Sequence, residues 1–120
     1  MRNLNKEVFD VLRLDSIIKS ELGGEFIYQF VKGNDQTNTW ITFSELDTSP
    51  GFYAENTEKT SIVMYQVDIW SMSPIKYQLK NAVQAAMKKL SFQRLSTFPD
   101  YEMDTKIYRY GFRFTTEVMN

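Results

Sequence analysis

Asp100, Glu102 and Asp104 alternate along the chain, so an extended segment would project their carboxylates together and offer the oxygen donors that calcium takes. An EF-hand loop starting at Asp100 would need glycine in about its sixth place and glutamate in about its twelfth. This sequence has Thr105 and Gly111 there, and a solvated acidic turn is the better account. Asp68 lies between Met64 and Trp70, and an inward position among them would raise its carboxyl pKa toward that of a general base. No partner group stands at a helpful spacing. An aspartate on the more polar face of a strand, paired with Arg109 or Arg113 on a neighbour, explains it more simply. Tyr108, Tyr110, Phe112 and Phe114 share one face of a strand, with Arg109, Gly111, Arg113 and Thr115 on the other. Exposed rings beside basic residues are how single-stranded nucleic acids are stacked. Here the row runs unbroken for a whole strand, which would expose too large an apolar patch, so it reads as core. Arg94, Lys106, Arg109 and Arg113 remain as a modest basic cluster.

The chain has no histidine and no cysteine. That removes imidazole general bases, thiolate nucleophiles, disulfides and the usual zinc ligands together. Neither a metal nor a cofactor is expected. The net charge of −1 lacks the basic excess that drives phosphate binding, so sequence-specific or bulk nucleic-acid affinity is not expected either. No stretch approaches the roughly 20 apolar residues of a membrane helix, and the N-terminus lacks the apolar run of a secretory signal. With 120 residues, 42% of them hydrophobic and nine Phe among them, the chain can bury one core and is expected to be a single domain over 1–120.

These residues need elements to hold them. Asn5 to Leu22 reads as helix, with Val8, Leu12, Ile18 and Leu22 at helical spacing, Gly23-Gly24 as the stop and Asp15-Ser16 able to cap a second short helix inside it. Phe26 to Val31 and Asn38 to Leu46 read as two strands of a hairpin. Asp47 to Lys59, with its Pro50-Gly51 turn signal and the aromatics Phe52 and Tyr53, reads as a long projecting loop. Thr60 to Met72 alternates as a central strand, with Val63, Tyr65, Val67 and Ile69 on one face. Ser73 as cap and Pro74 at the first helical position would open a helix striped by Ile75, Leu79, Val83, Ala86, Met87 and Leu90. Lys88 and Lys89 in its last turn complement the helix dipole. The segment Leu95 to Phe98, a Pro99-Asp100 turn and a strand from Thr105 to Val118 finish the chain. The order predicts an α+β fold: a mostly antiparallel β-sheet with two helices packed on one face.

Three pieces of this order carry a resemblance: Tyr65-Gln66-Val67-Asp68-Ile69-Trp70-Ser71 before the second helix, Phe92-Gln93-Arg94 after it, and Tyr101-Glu102-Met103-Asp104-Thr105-Lys106-Ile107-Tyr108-Arg109 running into Arg113-Phe114. Together they resemble the tail completion, or tail terminator, proteins of long-tailed phages and prophages, over nearly the whole chain. The resemblance implies a non-enzymatic protein that assembles with itself as a ring, typically a hexamer. The ring would sit on the head-proximal end of the tail tube, end tube polymerisation and present a surface to the head-completion or connector protein. It would act in the host cytoplasm during assembly and reside in the virion tail.

The contacts with the tube protein, the connector or other copies are expected at Pro50, Gly51, Phe52 and Tyr53, unless Phe52 and Tyr53 fold back over the sheet. Arg109 and Arg113, on the strand face away from the core, are the second candidates. Two rivals remain: a cone-shaped α+β enzyme or small-molecule-binding domain, using a buried acid such as Asp68, and a single-stranded nucleic-acid-binding module.

Overall fold

The computed structural model describes residues 3–120. Asn3 accepts the Lys6 amide through its side chain and starts helix α1, Leu4–Arg13, whose Leu4, Val8 and Leu12 recur every fourth residue and are buried. The N-terminal helical segment divides in two at the second cap that Asp15-Ser16 offers. Asp15 accepts the Ile18 amide and starts α2, Ser16–Leu22, which closes on Gly23 in the left-handed conformation, φ 76°.

The strands that follow are β1 (Ile27–Gln29), β2 (Thr39–Pro50), β3 (Tyr53–Ala54), β4 (Thr57–Glu58) and β5 (Thr60–Ser71). Helix α3 (Tyr77–Lys89) separates them from β6 (Gln93–Glu102) and β7 (Ile107–Met119). Five strands form one sheet in the order β1-β2-β5-β7-β6. Its pairs are antiparallel except β1 with β2, so the fold is α+β, with three helices among the described residues. Apolar residues of all three helices join Ile41, Phe43, Tyr65, Val67, Ile69, Phe112 and Phe114 in one buried cluster on one face of the sheet.

Four local expectations are corrected. The segments 26–31 and 38–46 do not make a hairpin: Ile27 lies beside Ile41 in parallel. Phe30, at φ 68°, turns the chain and donates its amide to Phe43, and the loop then returns to the start of β2. Ser73 does not cap α3. Its amide donates to Ser71 Oγ and its hydroxyl accepts from Asn38 Nδ2 at 2.9 Å, so it closes the end of β5. The helix begins later, behind Lys76, which makes no side-chain cap. Pro99-Asp100 is not a turn but lies inside β6. Because β6 is an edge strand, proline's missing amide need not remove a ladder bond. The reversal comes at Met103 to Lys106, where the Lys106 amide returns to the Glu102 carbonyl. Finally, residues 47–59 are not an irregular loop, as described below.

Candidate protein-interaction surfaces

Two surfaces stand apart from the helix-covered core. The first is an arm. β1 flanks β2 only from Ile41 to Phe43, yet β2 runs on to Pro50 beside β5, and β7 runs on to Met119. These extensions carry the sheet past the helices and stretch the molecule to 52 × 28 × 26 Å. The arm ends in a small hairpin of β3 and β4, with Tyr53 opposite Glu58 and Ala54 opposite Thr57. Glu55 and Asn56 turn it with φ of 54° and 63°, the sign pair of a two-residue type I′ turn. No Asn-Gly or Asp-Gly pair marks this turn, which is why the segment reads as a loop.

Thr60 joins the hairpin to the arm. Its hydroxyl donates to the Glu117 carboxylate and accepts the Phe52 amide at 2.6 Å, while the Lys59 amide donates to the Phe52 carbonyl at 2.7 Å. A side chain on Gly51 would collide with Thr60 Oγ1 and that carboxylate, so close packing explains this glycine. The backbone is therefore fixed while the rings are free: Phe52 is 60% exposed and Tyr53 52%. Neither folds back over the sheet. Leu46, Ile62 and Met119, which the sequence reading did not single out, add exposed apolar surface to the same arm.

The second surface is the sheet face opposite the helices. Trp40 on β2 and Trp70 on β5 face each other in register and stack, with centroids 6.4 Å apart and planes 7° from parallel. The Trp70 indole donates to Thr42 Oγ1 at 2.9 Å. The Arg109 guanidinium lies 5.0 Å from the Trp70 centroid and 5.6 Å from that of Phe98, and Arg113 lies 5.4 Å from Phe98 on its other side. Lys32 caps the far end over Trp40. Lys32, the stacked Trp40–Trp70 pair, Arg109, Phe98 and Arg113 thus form a row over the sheet, each cation–ring contact in the range of cation–π attraction.

Asp68 lies beneath this ladder, 8% exposed, with Arg109 Nη2 at 3.3 Å and Gln66 Nε2 at 3.1 Å from its oxygens. The cross-strand pairing expected of Asp68 is therefore present, and Arg109 is its partner. Gly111 is the reason the arrangement closes: a Cβ there would run into the Phe98 ring and the Asp68 carboxylate. Phe98 was not among the sequence candidates, and only its register opposite Gly111 reveals it.

Of the named residues, Pro50, Gly51, Phe52 and Tyr53 come together at the arm. Arg109 and Arg113 lie on the opposite sheet face as expected, but they differ. Arg109 is held by Asp68, Trp70 and Phe98, whereas Arg113 is exposed. The aromatic row divides likewise: Phe112 and Phe114 are buried, Tyr110 packs at the edge of the core, and Tyr108 lies against Tyr101 with centroids 4.7 Å apart and planes tilted by 56°. Deep in the core, Tyr65 donates to Asn5 Oδ1 at 2.6 Å. Burial, with smaller contributions from Glu45 and Glu7, pushes its phenol from 10.0 up to about 12.

The fold is found from end to end in a solved structure described as the virion of a native gene transfer agent (GTA) particle. The match covers 98% of this chain and 95% of that one, with a TM-score of 0.71 and 15% identity, a likeness of fold. No protein-family model and no curated protein matches this chain in sequence.

Proposed function

We propose that this protein is a structural component of a phage-like particle and that it acts as a tail completion protein. The observation that carries the reading is the end-to-end likeness of fold to a virion chain. The motif order of the tail terminator family, read independently from the sequence, points the same way. The role requires no catalysis; it requires a stiff body and surfaces that select partners. A ring of copies, typically six in the family resembled, would seat on the head-proximal end of the tail tube. One ring face would copy the docking surface of a tube subunit. The other would refuse the next tube ring and receive the head connector.

The arm suits such a task because its backbone is fixed while its aromatic side chains stay exposed, so docking them costs little conformational entropy. We assign Phe52 and Tyr53 as anchors, Pro50 and Gly51 as the residues that set their position, and Arg113 as a rim charge. Arg109 acts mainly within the subunit, holding the sheet face rigid through Asp68.

Purified protein added to polymerising tail-tube subunits tests this reading. Tubes that stop growing, with extra density at one end only, are the expected result. Tubes that elongate as they do without the protein, and carry none of it, would remove the assignment.

A further inference from the structure

The arm and the opposite edge of the sheet are complementary in charge, and the second holds a cavity with an aromatic lining. Residues 45–62 and 115–120 contain the carboxylates Glu45, Asp47, Glu55, Glu58 and Glu117 against Lys59 alone. The whole chain has a net charge of only −1, so the remainder is net basic. Part of that excess gathers where α3 ends and β6 begins. There a cavity of about 240 Å3 is lined by Phe92 and Phe114 and flanked by Lys88 and Arg94. Beside it the register of β6 slips between Arg94 and Ser96, and Leu95 stands 53% exposed. An aromatic lining with cationic flanks suits an aromatic side chain that arrives among carboxylates.

We propose that the occupant is the arm of a second copy of this chain, with Phe52 or Tyr53 entering the cavity and Asp47 and Glu55 meeting Lys88 and Arg94. The sheet order supports an intermolecular contact. The free edge of β2, from Ser44 to Pro50, lies on one side of the sheet and β6 on the other, with β5 and β7 between them. The seven residues from Ser44 to Pro50 reach about 20 Å as a strand, far enough to bring the tip over a neighbour. A contact between opposite edges is head-to-tail, so it repeats until a ring closes or a filament grows. It is also self-limiting in charge, since the like-charged surfaces of two copies repel.

This inference deepens the proposed ring and rests on self-association, not on the tail. The test uses two double variants of the full chain: D47K/E55K, which reverses the arm, and K88E/R94E, which reverses the cavity rim. The side chains of Asp47 and Glu55 make no hydrogen bond or ion pair among the described residues, and that of Arg94 bonds only Gln84, so both variants are expected to fold; circular dichroism and melting check this. Sedimentation is then followed over a concentration series. Wild type should associate, and each variant alone should associate at least about tenfold more weakly, because it sets like charges together. Their equal mixture should recover the wild-type mass, because each arm now meets a rim of opposite sign. Variants that associate like wild type, or a mixture that recovers nothing, would overturn the interface. Wild type that stays monomeric to millimolar concentration would overturn it too, and would leave tube capping to stand or fall on its own test.

Discussion

The body and the arm share the strands β2, β5 and β7, yet they treat the same kinds of side chain in opposite ways. Where helices cover one face, Ile41, Val67, Ile69 and Phe112 are almost wholly buried. Farther along the same strands, Leu46 at the β2 bulge and Ile62 and Met119 on the opposite sheet face are exposed, as are Phe52 and Tyr53 beyond them, whereas Val63 and Val118 on the helix side stay buried. Alternating apolar residues therefore make core only where another layer meets them. Where no layer does, the same pattern builds a surface held straight by its ladder and open to a partner. The body supplies stability and the arm supplies contact.

That contrast can be broken, and the largest effect should come from the body. Phe112→Ala removes a ring packed between Tyr110 and Phe114 and should lower unfolding free energy by about 3–5 kcal/mol in a denaturant titration. A loss below about 1 kcal/mol would mean the strand is not core. Gly111→Ala tests the other sheet face, where the new methyl must displace Phe98 or the Asp68 carboxylate. A cost of about 1–3 kcal/mol is expected, and tolerance without cost would show the ladder to be loose.

Alkaline pH sharpens the same contrast. Burial raises the Tyr65 phenol to about 12 in the fold, above its ordinary 10.0. The unfolded chain therefore releases this proton first, and stability present below pH 10.0 is lost as pH rises toward about 12. Tyr65→Phe should flatten that part of the pH–stability curve, though Tyr28, also raised to about 12, will retain some slope. Lys76→Ser gives α3 the side-chain cap it lacks and should raise unfolding free energy by about 0.5–1 kcal/mol. The smallest stability effect belongs to the arm: Phe52→Ala with Tyr53→Ala should change unfolding free energy by no more than about 0.5 kcal/mol per site. The same variant should nevertheless fail to support particle assembly, and a variant that assembles normally would remove these rings from the interface.

What the sequence disclosed follows the range of each signal. Alternation in Val63 to Ile69 and in Tyr110 to Phe114 is a local property, and it identified the central strands and their buried faces directly. The pairing of Asp68 with an arginine was legible for the same reason, because strand faces are set by parity. Sheet order is not local. Nothing in Phe26 to Val31 distinguishes a parallel neighbour from a hairpin partner, and Pro99 is compatible with a strand only once β6 is known to be an edge. Ser73 looked like a cap because its competing partners, Ser71 and Asn38, meet it only in three dimensions. The arm was half visible: its aromatics and turn signal stood out, while its ladder depended on β5 and β7 extending beside it.

Electron microscopy of particles released after in-frame deletion of the gene, with and without the wild-type gene supplied in trans, tests the central claim most directly. The account predicts filled heads without tails beside free tails of uncontrolled length, and normal particles once the wild-type gene is returned. Intact particles with tails of normal length in the deletion would contradict it.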